Sequence, residues 1–190
     1  IIGITGVTGY GKSTFINLLL GLYTPQKGKI LIDSTELDFN FKDWINKVSY
    51  VSQSIVLLDD TISRNIAFAV QNEKINLQKV KDCCELAELK KFVENSPKKY
   101  NTIVGEKGTN LSGGQIQRIG LARALYKQNS ELMILDEATS SLDLFTKKKI
   151  FNKLKKLKKS KTIVIISHRK KILEICEKIY ELKNEKLILK

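Results

Sequence analysis

The chain has 190 residues, enough for one well-packed domain with a subdomain and too few for two large ones. Apolar residues make up 42% of it, yet no apolar run approaches the roughly 18 residues that cross a bilayer, which excludes a membrane-spanning helix within this stretch. The 33 Lys and Arg against 20 Asp and Glu give a formal net charge of +13, which invites an anionic partner, but few aromatics are interleaved for stacking on bases, so nucleic acid is not expected.

There is no secretory leader, and the first residue is Ile rather than Met, so the chain reads as an excerpt with further residues upstream. Ile1, Ile2 and Ile4 form a strand-like run. It is followed by Gly6-Val7-Thr8-Gly9-Tyr10-Gly11-Lys12-Ser13-Thr14, the G-x-x-x-x-G-K-[ST] spacing of a phosphate loop. The glycines let successive N–H groups turn inward into an anion nest, and a helix over roughly Lys12 to Leu20 adds its positive end. Lys12 can reach the β- and γ-phosphates of a nucleotide, and the Ser13 hydroxyl can ligate Mg²⁺.

Gly21 and Pro25 end that helix, and Lys29 to Ile32 reads as a short strand. An amphipathic segment around Phe41 to Val48 follows, with Trp44 as a packing residue. Val48 to Val51 is a strand that exits at Ser52-Gln53. From Thr61 to Tyr126 the periodicity is helical: Ile62 and Ile66; then Val80, Cys84 and Ala87 behind an Asn76 N-cap; then Leu89 and Val93, stopped at Ser96-Pro97. Strand character returns only at Thr102-Ile103-Val104. A helix from Ser112-Gly113-Gly114 through Leu125 closes this insertion. Leu132 to Leu135 is a continuous apolar run, as in a strand buried on both faces of a parallel sheet.

Asp136-Glu137 comes next, followed by a lysine-rich helix whose Lys147 to Lys161 read as a solvated face beside Ile150, Leu154 and Leu157. Thr162 to Ile166 is a second buried strand, ending at Ser167-His168. A helix near Ile172 to Cys176 and a hairpin, Ile179 to Leu182 with Lys186 to Leu189 around Asn184-Glu185, complete the chain. Cys83, Cys84 and Cys176 lack C-x-x-C spacing, which points to a reducing compartment and no structural zinc. The pattern predicts an α/β fold: a mostly parallel core over 1–53 and 128–190, interrupted by a helical subdomain over 54–127.

Polar residues at the carboxyl ends of buried strands occupy the usual ligand edge of an open parallel sheet. Asp136 there can hold Mg²⁺ through water. Glu137 is placed to orient or deprotonate a water attacking a γ-phosphorus, and His168 can hydrogen-bond that phosphate and water. Leu111-Ser112-Gly113-Gly114-Gln115 is a second anion site, a serine hydroxyl and glycine-exposed amides at a helix start. Two phosphate-binding helix ends either meet within one chain or serve a partner.

In these motifs and in their order, the whole chain resembles the nucleotide-binding domain of an ATP-binding cassette (ABC) transporter, a P-loop NTPase. The resemblance implies Walker A at Gly6 to Thr14, a Q-loop glutamine at Gln53 and the signature at Leu111 to Gln115. It likewise implies Walker B ending at Asp136 with Glu137 as the catalytic glutamate, a D-loop at Ser141-Leu142-Asp143 and a switch histidine at His168. It implies ATP as substrate, with Mg²⁺ held by Ser13, Gln53 and Asp136, partly through water, and catalysis by Glu137, His168 and Gln53. Two such domains pair head to tail, the signature of one closing over the ATP of the other.

Thr102 to Gly108 is similar to an exporter-type X-loop. With the Gln53 region it would contact a transmembrane domain, at the cytoplasmic face of the inner membrane. The wording is closest to bacterial flippases for lipid-linked saccharides. Tyr10, Ser52, Lys107 and Ser141 depart from the usual residues without removing a catalytic group, whereas an aromatic for stacking on adenine has no candidate in this chain. The alternatives are a soluble ABC ATPase acting on nucleic acid or ribosomes, favoured by the charge, and an inactive fragment.

Overall fold

The computed structural model describes residues 1–7, 9–37, 41–127 and 129–190. In chain order the elements are β1 (Ile2–Thr5), α1 (Lys12–Leu19), β2 (Leu31–Ile32), β3 (Thr35–Glu36), α2 (Phe41–Lys47), β4 (Val48–Val51), α3 (Ile62–Ile66), α4 (Leu77–Leu86), α5 (Lys90–Asn95), α6 (Gly113–Tyr126), β5 (Leu132–Asp136), α7 (Leu144–Leu157), β6 (Thr162–Ile166), α8 (Lys170–Leu173), β7 (Lys178–Lys183) and β8 (Lys186–Leu189), with single 3₁₀ turns at Asn72–Lys74, Lys99–Asn101 and Glu106–Gly108. The main sheet is mostly parallel, in the order β4-β5-β6-β1-β7-β8, and β2 and β3 form a separate two-stranded ribbon. The chain divides into two compact units: 1–49 with 129–134 and 161–190, and 50–128 with 135–160.

In the first unit β1 runs parallel to β6 on one side (Ile2 opposite Val164) and to β7 on the other (Ile2 opposite Lys178). Runs without polar alternation, such as Ile163 to Ile166, are buried because a strand inside a parallel sheet is covered on both faces. Ile4, Ile16, Trp44, Val48, Leu132, Ile134, Val164 and Ile166 form its core, each fully buried side chain contributing roughly 1.5–3 kcal/mol. Trp44 is the packing residue its setting predicts, its indole Nε1 donating to the Leu19 carbonyl at 2.7 Å.

Two hairpins have the same cause. Asp33 and Ser34 have φ of 48° and 68°, and Asn184 and Glu185 have 48° and 60°, the left-handed pairs that two-residue hairpin turns require. The second hairpin is the expected one, with β8 antiparallel to β7. At the first, the strand expected over Lys29 to Ile32 shortens to β2 and folds back on β3. The helix expected near Ile172 to Cys176 lies earlier, at α8; Cys176 N–H donates to Leu173 O in the turn after it.

The second unit is helical around α6, which packs on α3 and α4. The Asn76 cap is present, its side chain accepting from Lys79 N–H at 3.0 Å. Val80 and Cys84 of α4, Leu89, Val93 of α5 and Ile119 of α6 are buried. Thr102 to Val104 do not form a strand. A single antiparallel bridge joins Ile103 to Thr61, flanked by Ile62 N–H to Thr102 O and Val104 N–H to Asp60 O. The lysine face of α7 is not wholly solvated: Lys147 is buried, and Lys149 and Lys153 pair with Glu88. Among the described residues no helix is long and apolar enough to cross a membrane.

Candidate functional site

The first unit carries the phosphate loop between β1 and α1. Gly11 caps α1 at φ 89°, a left-handed conformation that delivers the helix N-terminus to the loop and that a side chain would strain. Gly6 is required for a different reason: a Cβ there would lie 2.7 Å from the Leu182 carbonyl oxygen. Lys12 Nζ donates to the carbonyls of Gly6 (2.7 Å) and Val7 (3.0 Å), so its ammonium is tethered to the loop it would serve.

Val7, Gly9, Tyr10, Ser13 and Thr14 are exposed, the outward Tyr10 ring included; Thr8 lies outside the described residues. His168 is brought to the same sheet edge. β6 ends beside β1, Ser167 N–H continues the ladder to Ile4 O at 3.0 Å, and the exposed histidine follows.

The second unit carries the remaining motifs. Tyr50 Oη donates to Asp136 Oδ2 at 3.2 Å. Burial, reinforced by the Asp136 charge and that bond, pushes the phenol up to about 12, so it stays a donor at neutral pH. Glu137 sits at φ 48°, a strained conformation for a residue with a side chain and one that concentrates at functional sites. Gln53 is exposed just past β4, where the Ser52 hydroxyl donates to Ser54 O at 2.7 Å.

Ser112 is the N-cap of α6 in a complete capping box. Its hydroxyl accepts from Gln115 N–H at 3.3 Å, and Gln115 Oε1 accepts from Ser112 N–H at 2.7 Å. The box fixes Gly113 and Gly114 in the first turn of a 14-residue helix, the arrangement that binds anions. Leu111 precedes it, partly buried. The D-loop follows the acids: Ser141 is exposed, Leu142 buried, and Asp143 caps α7 through Thr146 N–H at 2.9 Å. That contact with Thr146 holds the Asp143 carboxyl below its ordinary range.

Sequence reasoning missed Tyr50, whose bond to Asp136 joins residues 86 positions apart and leaves no local signal. Asn65 reads in the sequence only as part of the exporter-like run Gln53 to Ile66, with no sign of its hydrogen-bonding role. This residue is fully buried, and its carbonyl oxygen accepts from Leu58 N–H (2.9 Å) and Arg123 Nη2 (3.1 Å), while its amide donates to Leu58 O (3.0 Å) and Thr61 O (3.1 Å). Arg123, its guanidinium shifted down by burial, also donates to Asn65 O and Val56 O. These bonds fix the run after Gln53, and the Thr61–Ile103 bridge joins it to Thr102 to Gly108. Val56, Leu58, Phe68 and Ile103 stand exposed on these segments.

Residues 1–140 match the family described as ABC transporter. The chain is 39% identical over 179 residues to the ATP-dependent lipid A-core flippase of Haemophilus influenzae, covering 94% of this chain and 30% of that protein. It is 39% identical over 188 residues to the multidrug resistance protein pgp-1 of Caenorhabditis elegans, covering 98% of this chain and 14% of that one. Among solved structures it is similar to a bacterial Atm1-family ABC exporter with ATP bound, at a TM-score of 0.90 and 33% identity, covering 98% of this chain and 33% of that one. The chain therefore spans about a third or less of the length of these relatives. With its mostly parallel α/β fold and its phosphate loop, it belongs to the ABC transporter family.

Proposed function

We propose that this chain is an ATP-binding and ATP-hydrolysing domain that drives export by a membrane domain. The observation that carries the reading is the presence in one chain of two helix starts built for anions, the Gly11 end of α1 and the capping-boxed Ser112 end of α6. The amides of the loop Gly6 to Thr14 and the Lys12 ammonium hold the phosphates of one ATP. Ser112 and Gly114 close over the ATP of a second copy, head to tail. This assigns each anion site a ligand.

The oxygens of Ser13, Gln53 and Asp136 are the hard donors Mg²⁺ prefers. Substrate phosphates and water would complete the shell of a cation held partly through water by these residues. When bound, Mg²⁺ neutralises charge developing on the phosphate oxygens. Tyr50 orients the Asp136 carboxylate for that task. Glu137 orients and deprotonates the attacking water, and His168 donates to the γ-phosphate. The exposed apolar residues Val56, Leu58 and Ile103 flank the segments proposed to receive the membrane domain at its cytoplasmic face.

Glu137→Gln tests the reading. Steady-state hydrolysis should fall by about 10²- to 10⁴-fold, the usual contribution of a positioned base, while equilibrium ATP binding persists and an ATP-bound dimer accumulates. Undiminished hydrolysis removes Glu137 from its role.

A further inference from the structure

Gln117 lies on α6 two residues beyond the signature, buried, on the helix face it shares with Leu121 and Ala124. A polar side chain on that stripe needs partners, and it finds both in the D-loop. Its Nε2 donates to Ser140 Oγ at 2.7 Å, and its Oε1 accepts from Ser141 N–H at 2.8 Å. The D-loop is itself a tight turn, with Ser140 N–H on Glu137 O (3.0 Å) and Leu142 N–H on Thr139 O (3.2 Å). The signature touches it directly: a Cβ on Gly114 would lie 3.3 Å from both Leu142 Cδ2 and Ser141 O.

We infer that Gln117 is a positioning residue that locks the D-loop to the signature helix, so that both are presented to a second copy as one preordered surface. The inference rests on the head-to-tail reading above. Without the clamp the Ser141 N–H loses its acceptor and the turn loosens. Each closure must then order the loop again, which costs conformational entropy at the closing step and not at the first binding of ATP. The amide fits the task because one end donates and the other accepts. Glutamate fits it too, since the Ser140 hydroxyl can reverse and donate to a carboxylate. Leucine, of similar size, can do neither.

The test uses the full-length protein carrying Glu137→Gln. Equilibrium dialysis measures total ATP bound, and rapid gel filtration measures the fraction that stays occluded, which reports closure. Adding Gln117→Leu should leave equilibrium binding within about twofold and lower the closure constant about tenfold, the order expected for the loss of two neutral hydrogen bonds. Gln117→Glu should restore closure to within about threefold. Ser140→Ala, which keeps the Ser141 contact, should fall between the two and carries the test if the leucine variant does not fold.

Occlusion by Gln117→Leu equal to that of its parent overturns the inference, as does an equal loss of binding and closure, or no rescue by glutamate. If the parent binds ATP but never occludes it, the head-to-tail reading falls and takes the inference with it.

Discussion

Asn65→Ala removes a buried side chain with several hydrogen bonds in the second unit. The wild-type side chain is 0% exposed and satisfies the Leu58 N–H, the Leu58 and Thr61 carbonyls and one arm of Arg123. Neutral hydrogen bonds contribute about 0.5–1.5 kcal/mol each and one to a charged group about 1.5–3, while a buried donor left unpaired costs about 1–3. Two carbonyls retain second lone pairs and lose less than the Leu58 N–H does. The sum is a loss of about 3–5 kcal/mol, or roughly 6–20 °C in melting temperature at this chain length. Guanidinium unfolding followed by circular dichroism measures it.

Asn65→Asp is the informative partner. It keeps the acceptor for Leu58 N–H and strengthens the contact with Arg123, but it sets a carboxylate oxygen against the Leu58 and Thr61 carbonyls. It should recover only part of the loss. An alanine variant within about 1 kcal/mol of wild type would refute the view that this hub holds the loop after Gln53.

Ser112→Ala should cost about 1 kcal/mol through loss of the cap and, in the Glu137→Gln background, abolish ATP-dependent dimerisation while a Walker A nucleotide still binds; a fluorescent ATP analogue and light scattering separate the two. Stability should decline at alkaline pH, because the fold raises the Cys84 thiol from 9 to about 12 and the Tyr50 and Tyr100 phenols from 10 to about 12, in each case chiefly by burial. A raised value favours the protonated form in the native state. These contributions are therefore complete below pH 9 for the thiol and below pH 10 for the phenols, and they are lost as pH climbs toward 12. For the thiol the slope is at most about 1.4 kcal/mol per pH unit, and Cys84→Ala should flatten the curve between pH 9 and 10, read from unfolding midpoints. At pH 8 Cys83 and Cys84 should react with a thiol reagent only after denaturant is added, both being buried.

The elements most legible in the sequence were those whose cause is local. The strand at Leu132 to Leu135 announces itself because burial on both faces leaves no polar alternation. The Asn76 cap, the phosphate loop and the signature are each written within a few residues. What escaped depends on tertiary partners. Asp33-Ser34 reads as the end of a strand, and only the pairing of Thr35 and Glu36 with β2 makes it a hairpin turn. Thr102 to Val104 have strand composition, but they find one bridge to Thr61 and no ladder. The lysines of α7 look uniformly solvated until Glu88, held at φ 55° after α4, collects two of them. Tyr50 and Gln117 carry no motif of their own, and their meaning lies in the Asp136 carboxylate and the Ser141 N–H.

The left-handed backbone at Glu137 sets stability and chemistry against each other at one residue. That conformation costs an L-residue about 1–2 kcal/mol and glycine almost nothing. On the backbone term alone, Glu137→Gly relaxes the fold while removing the carboxylate proposed to handle the attacking water. A chain selected only for thermal resistance would drift toward glycine at this position. Glutamate here carries a permanent local cost, and under the proposed function that cost accompanies the carboxylate assigned to the attacking water.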